Sequence, residues 1–416
     1  MSLTNTILTQ LTTKTVSFFV GNVKGLDNLK FDGPRIIIAN HSSYMDHFVI
    51  LYLLKKQNPN QVVYFLTKKE AFEKPFSRWW HLSLNSISVD RTKNAMSSMM
   101  VLKDKLITEK AVVVIYPEGT RTPTGNMYFG KNGAESLSYA TGVEMIPIGM
   151  HENFDVLPKF SIFPNFKKIS VAVGNSIQIP KTSRKEIPAI SRSNIQLLSS
   201  LAREKLERKS VESIDVKEEM LQAMIDANQK ALRSYPDANH TPLDYHKRVL
   251  YLGRTLLARF DSSSSEQNLI FLEIARAYGR LGYLKGIKTL KGRYYMMKTT
   301  SALNKASSIA EKSSEWYYIK GHQSLFLGDK KSYLKNLVKA NDMVRNNIQY
   351  MLALAKAMNL NHEFCSARNI LLSILKVDTR TQLDDRRKYE AVVLLMRMDS
   401  QFDPSQELVR NEKIIV

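Results

Sequence analysis

The chain has 416 residues, of which 44% are hydrophobic and 24% charged, and it carries a formal net charge of +21 at pH 7. That length favours two cores over one, and the composition excludes bulk disorder. The basic excess asks for an anionic partner, which can be nucleic acid, an anionic bilayer or a phosphorylated substrate.

Divided at residue 185, the excess is shared almost equally, +10 before and +11 after. With no basic arm, zinc-finger spacing or RRM-type aromatic motif, nucleic acid is set aside as a partner. The single cysteine, Cys365, leaves no intramolecular disulfide and no cysteine pair for a metal, which suits a reducing compartment. Met1 to Gln10 lacks the basic and apolar regions of a secretory signal, and no stretch reaches the roughly eighteen apolar residues of a membrane span. The expectation is a cytoplasmic protein, peripheral to the inner face of a membrane.

In chain order, Leu3, Ile7, Leu8, Leu11, Phe18 and Phe19 predict an amphipathic helix over 3–24, within a first segment 1–30. Such a helix serves equally to lie in a bilayer interface or to cover a domain core. From Arg35 to Val173, strand patterns alternate with helix patterns. The strands are Arg35–Ala39, Val62–Leu66, Ser86–Val89, Ala111–Tyr116, Glu144–Ile148 and Ile169–Val173; the helices fill 46–56, 71–83, 93–109 and 131–141. This alternation predicts an α/β domain over 31–210, with a mixed, largely parallel sheet flanked by helices and ligands gathered at strand carboxyl ends.

Lys181-Thr182-Ser183-Arg184-Lys185 reads as a linker. Beyond it helix periodicity prevails, over Ile195–Arg208, Val216–Leu232, Leu269–Leu281, Tyr333–Val344 and later segments. The expectation for 211–416 is an all-α accessory domain. Leu327-Gly328-Asp329, followed by Tyr333, Leu337 and Ala340, has the spacing of half a tetratricopeptide repeat, and Leu360-Asn361 with Ala367 recurs about 33 residues on. A helix-hairpin stack of this kind would suit a protein partner.

Two strings carry the chemistry. Asn40-His41-Ser42-Ser43-Tyr44-Met45-Asp46 follows a strand pattern and opens a helix. An imidazole with a carboxylate to orient it is the usual base for taking a hydroxyl proton near neutral pH. Positions i and i+5 diverge on a straight helix, so the pair needs His41 outside it. The same string also reads as a capping box, with Ser43 at the N-cap and Asp46 three residues on. A third reading takes His41, Asp46 and His47 as metal ligands, but no further cluster at ligand spacing completes such a site, and no metal is expected. In Tyr116-Pro117-Glu118-Gly119-Thr120-Arg121, the guanidinium can hold a phosphate, Gly119 permits close backbone approach and Glu118 can accept from a hydroxyl. A strand-end turn with a surface ion pair is the plainer account of the same residues. Arg91 offers a second cation.

Taken together, Asn40-His41 with Asp46, Asp90-Arg91, Pro117 to Arg121 and the apolar strand Val143 to Ile148 around Pro147 resemble, in order, the four motifs of the glycerolipid acyltransferase family, typified by lysophosphatidate acyltransferases. The resemblance covers about residues 30–180. It departs from the family at Asn85 and Ser88, where glycine and an aromatic residue are usual. It implies His41 as general base with Asp46 orienting it. It further implies acceptor binding by Arg91, Glu118, Gly119, Thr120 and Arg121, a pocket wall at Pro147, and backbone N–H groups near the helix start as oxyanion donors. The implied donor is acyl-CoA or acyl-carrier protein, with no cofactor. The implied acceptor is a lysophospholipid, most simply 1-acylglycerol-3-phosphate giving phosphatidic acid, with glycerol-3-phosphate, another lysophospholipid or a lyso-aminolipid as alternatives. A membrane surface would be a further partner. An acyl-enzyme route through Ser42 or Ser43, and a non-catalytic scaffold tethering the helical half, are the rival accounts.

Overall fold

The structure is a computed structural model that describes residues 15–68, 72–73, 78, 82, 85–89, 95–161, 163–180, 184–232 and 241–398. The chain divides into two compact units, Met1–Glu219 and Met220–Val416.

The first unit is built on a seven-stranded sheet. Its strands are β1 (Val20–Lys24), β2 (Arg35–Ala39), β3 (Val63–Lys68), β4 (Ser86–Val89), β5 (Val112–Ile115), β7 (Met145–His151) and β8 (Ile169–Val173), ordered β1-β8-β7-β2-β5-β3-β4; β6 (Met127–Phe129) lies outside it. Five strands run parallel, β8 is antiparallel to β7, and β1 is parallel to β8. The unbroken run Ile36-Ile37-Ile38 makes β2 a central strand, because both of its faces are buried. Ile37 and Ala39 face α1 (Asp46–Gln57), which buries Val49, Ile50, Leu53 and Leu54. Ile36 and Ile38 face the opposite layer. There α2 (Ala95–Ile107) contributes Leu102 and Leu106, α3 (Gly133–Thr141) contributes Leu137, and Leu198 comes from a longer helix considered below.

Three expectations change. Only residues 15–17 of the amphipathic segment 3–24 are helical among those described; residues 1–14 lie outside them, and Val20–Lys24 is a strand. Val16 and Phe19 turn inward to the core, and β1 satisfies the backbone edge of β8. The second change concerns the helix expected over Ile195–Arg208. A one-turn helix α4 (Asn153–Val156) follows β7, and α5 (Ile187–Ala202) ends where Arg203 takes a left-handed φ of 54°. Leu206–Ser210 then forms β9, parallel to β6 in a separate ribbon. Leu206 packs against the sheet core, which a continued helix would not allow. The third change, at Pro147, belongs to the site. The helix expected over 71–83 falls largely outside the described residues.

The second unit is helical among its described residues: α6 (Val216–Leu232, entering from the first unit), α7 (Pro242–Arg259), α8 (Ser264–Lys285), α9 (Leu290–Ile309), α10 (Ser314–Phe326), α11 (Lys330–Met343), α12 (Ile348–Leu360), α13 (Phe364–Lys376) and α14 (Gln382–Met398). Capping boxes at Thr241/Asp244 and Ser263/Glu266 start α7 and α8. The two tetratricopeptide-like strings lie at the turns between α10 and α11 and between α12 and α13. Gly321 on α10 lets α11 approach, since a Cβ there would meet Leu337 at 3.3 Å.

Candidate active site

Because β2, β5 and β7 are parallel neighbours, the turns that follow them converge at one edge of the sheet. The turn after β2 carries His41, the turn after β5 carries Glu118 to Arg121, and the turn after β7 carries Asn153. His41 Nδ1 lies 2.8 Å from Asp46 Oδ2. Asp46 is fully buried. Its Oδ2 also accepts the backbone N–H groups of Ser42 and Ser43, each at 2.9 Å, and its Oδ1 accepts from Asn153 Nδ2 at 2.8 Å.

The capping geometry and the His41–Asp46 contact therefore coexist. Asp46 reaches back to the Ser43 N–H as a capping-box carboxylate does, while Ser43 Oγ accepts from Met45 N at 3.1 Å. The same carboxylate orients the imidazole. The sharp chain reversal that brings i and i+5 together is pinned from outside. Asn40 exchanges two hydrogen bonds with the Met150 backbone, at 2.7 and 2.8 Å, and Tyr44 N donates to Leu157 O at 3.0 Å.

Every backbone N–H from His41 to Met45 is engaged. His41 N donates to Glu118 Oε1 at 2.8 Å, and the four that follow take the partners just given. The oxyanion donors implied at the helix start are therefore not these amides. The serines adjoin His41 without facing outward. Ser43 Oγ also donates to Leu157 O, and Ser42 is 2% exposed.

Glu118 departs from its expected role. It is buried, and its second oxygen accepts from Tyr128 N at 3.2 Å, so both oxygens brace backbone around His41 instead of meeting an acceptor hydroxyl. Burial pushes its carboxyl up to about 8 against the pull of those two amides, and Asp46 adds to the rise. The folded protein then binds more protons at Glu118 than the unfolded chain between 4.5 and about 8, so stability is expected to fall as pH rises through that range. Melting temperature against pH, compared with Glu118→Gln, checks this. Parallel curves for the two proteins would remove the claim.

Gly119 takes a left-handed φ of 72°, and its N–H donates to Tyr116 O at 2.9 Å. This turns the chain so that Gly119, Thr120 and Arg121 are half-buried at the sheet edge. The turn is held from the residue after β6, Gly130, which lies so close to Pro117 that a Cβ would come within 2.4 Å of its backbone. The Arg121 guanidinium lies over the Tyr44 ring, 3.4 Å from its centroid. Arg91 and Asp90 lie outside the described residues.

Pro147 does not wall this site. It pairs with Ile38 and shares the face of Met145, the side covered by α2, α3 and α5, whereas Asp46 begins α1 on the other side. A Cβ on Gly174 would come within 2.7 Å of its ring.

Two contributors escape the sequence reading. Asn153 lies 107 positions from Asp46, and nothing local marks it. Tyr116 stacks on His41 with centroids 4.1 Å apart and planes 16° apart. Burial, reinforced by Asp46, holds its phenol well above the ordinary value, so the ring stays neutral. His47 faces Phe65 and Tyr116, at 4.9 and 5.0 Å between centroids. Among the described residues no group of three or more His, Cys, Asp or Glu is placed to hold a metal ion.

A histidine held by a buried aspartate lies beside a glycine–arginine turn at the carboxyl ends of parallel strands, and residues 21–151, which contain both, match the acyltransferase family model. Over this stretch the chain is similar to the glycerolipid acyltransferases. A chloroplastic 1-acyl-sn-glycerol-3-phosphate acyltransferase of Arabidopsis thaliana is 29% identical over 144 residues, covering 34% of this chain and 38% of its own. The beta 1-acyl-sn-glycerol-3-phosphate acyltransferase of Homo sapiens is 26% identical over 193 residues, 42% of this chain and 66% of its own. The 1-acyl-sn-glycerol-3-phosphate acyltransferase of Pseudomonas aeruginosa is 29% identical over 138 residues, 33% and 51%. The chain spans about two fifths of the length of the chloroplastic relatives it matches.

Proposed function

We propose that the protein is an O-acyltransferase that moves a fatty acyl group from the thioester of acyl-CoA or an acyl-carrier protein to the free hydroxyl of 1-acylglycerol-3-phosphate. The observation that carries the reading is the 2.8 Å contact between His41 Nδ1 and the buried Asp46. With Nδ1–H donating to Asp46, Nε2 holds the lone pair. It takes the acceptor hydroxyl proton as that oxygen bonds to the thioester carbon. The C–S bond then breaks, and the imidazolium returns the proton to the leaving thiolate. Arg121, stacked on Tyr44, supplies a cation for the acceptor phosphate. The named activity of the relatives supports this acceptor.

The deciding experiment measures acyl transfer from acyl-CoA and from acyl-carrier protein to a panel comprising 1-acylglycerol-3-phosphate, glycerol-3-phosphate, a neutral monoacylglycerol and a lyso-aminolipid. Arg121→Gln is expected to cost at least about tenfold in kcat/KM with the phosphate-bearing acceptor, the size of one charge-assisted contact, and little with the monoacylglycerol. Equal losses on both would end the phosphate assignment.

The membrane part of the reading rests on aromatic exposure. Phe163 and Phe166 are 81% and 86% exposed, Phe166 packs edge-on to Phe18 at 6.1 Å, and Lys168 lies over the Phe18 ring. This loop leaves the site through Leu157 and Pro158, which are bonded to Tyr44 and bridged to Ser43. Aromatic rings beside lysines suit an anionic lipid surface, and no described helix is long and apolar enough to cross a membrane. The double variant Phe163→Ser/Phe166→Ser is expected to lose most of its co-sedimentation with phosphatidylglycerol vesicles, while transfer to a water-soluble short-chain acceptor is kept. Unchanged co-sedimentation would move the membrane contact elsewhere.

A further inference from the structure

The helical unit contains a cavity of about 380 Å³ between α6, α7, α8, α9 and α10, and it plays no part in the site described above. Among the described residues no carboxylate lines it. Its polar lining is Arg276, Arg280, His246, His322 and Gln323, and its apolar lining includes Tyr283, Leu284, Ile319 and Phe326.

The two arginines are not equivalent. Glu273, 3.2 Å away, and Glu315 both close on Arg276. Tyr350 O–H then donates to Glu315 at 3.0 Å. That leaves Arg280 with no carboxylate within ion-pair distance among the described residues. Burial lowers its pKa to about 10, so it remains charged. The histidines do not add to that charge. Burial first, and the nearby Arg280, bring His246 down to about 3 and His322 to about 4. Several of the other polar groups are tied: His246 Nδ1 to Asn228, His322 Nδ1 to Tyr318 O, and Gln323 Nε2 to Met296 O and Thr300. Arg280 is half-buried, and Tyr318, Glu315 and Glu273 favour its charge only from beyond ion-pair distance, so a bound anion can pair with it directly. Tyr283 and Phe326 stack with centroids 5.1 Å apart, and Tyr283 and Leu284 are 63% and 49% exposed, so this apolar part of the lining reaches the surface.

We propose that this cavity binds an anionic amphiphile, a carboxylate or phosphate headgroup received by Arg280 with its apolar chain laid against Tyr283, Leu284 and Phe326. The ligand supplies the close anionic partner that no described residue gives Arg280, and the cavity is of the size used for small organic ligands. This site does not depend on the acyl-transfer reading of the first unit.

The test uses the full chain and isothermal titration with octanoate, inorganic phosphate and octanol. Octanoate is expected to bind at least about tenfold more tightly than phosphate or octanol, because only it carries both halves of the ligand. Arg280→Gln is expected to lose that binding by at least about tenfold while melting no lower than the parent without ligand, since it removes a half-buried charge with no ion-pair partner among the described residues. Leu284→Asp, in the exposed part of the lining, is expected to lose octanoate binding as well. Octanol binding as tightly as octanoate would reduce the cavity to an apolar pocket, and phosphate doing so would make it a free-anion site; either overturns the proposal. Octanoate binding that survives Arg280→Gln, or an Arg280→Gln protein that binds normally but melts several degrees lower, would assign Arg280 a structural role instead.

Discussion

A His41→Ala protein is expected to fold as the parent does and to lose at least about a hundredfold in turnover, the lower end of what a positioned general base contributes. The fold should survive because the imidazole meets Asp46, Tyr116 and His47 through its ring, whereas the turn around it is held by backbone. His41 N remains on Glu118, and His41 O remains bonded to Thr122 N at 2.9 Å. Initial rates with acyl-CoA and 1-acylglycerol-3-phosphate, beside a melting curve, give both readouts. Undiminished turnover in a folded protein would leave Asp46 as a helix cap and place the base elsewhere. Single-turnover mass spectrometry separates direct transfer from an acyl-enzyme, since a covalently acylated Ser42 or Ser43 would overturn the one-step route.

Asp46→Ala is expected to be the more damaging change, in stability as well as in rate. It strands the Ser42 and Ser43 N–H groups, Asn153 Nδ2 and the imidazole in a site closed to water. Buried donors left unsatisfied cost about 1–3 kcal/mol each, and with partial relaxation the total should come to roughly 3–5 kcal/mol. Asp46→Asn does not rescue it. An amide oxygen can replace one carboxylate oxygen, but the NH2 group then faces either the amides of 42 and 43 or Asn153, donor against donor. Chemical denaturation of the three proteins measures the loss. An Asp46→Asn protein within about 1 kcal/mol of the parent would mean that the amides find other acceptors.

Much of the α/β core was legible along the chain because its signals are local. Runs such as Ile36-Ile37-Ile38 and Val112-Val113-Val114 are buried on both faces wherever they occur in a parallel sheet, and His41 and Asp46 are close enough in sequence that one turn joins them. The short polar strands were not legible. Val20–Lys24 and Leu206–Ser210 have no strong alternation, and each becomes a strand only by pairing with an edge far away in sequence.

The sequence by itself determined the chemistry available. It placed an imidazole with a carboxylate five positions on, a glycine beside a cation after a second strand, and a basic excess seeking an anion, because covalent spacing and residue type decide these. Tertiary structure alone decided how they are used. Three parallel strands end side by side, so Asn153 reaches Asp46 across 107 positions, Glu118 becomes a buried brace for the His41 backbone, and Pro147 falls on the far face of the sheet. Pairing across a sheet depends on strand order and on which face a side chain takes, and neither is written in the neighbouring residues. Arg280, with no ion-pair partner among the described residues, has the same origin: one arginine among many in the chain, distinguished because both nearby glutamates close on Arg276.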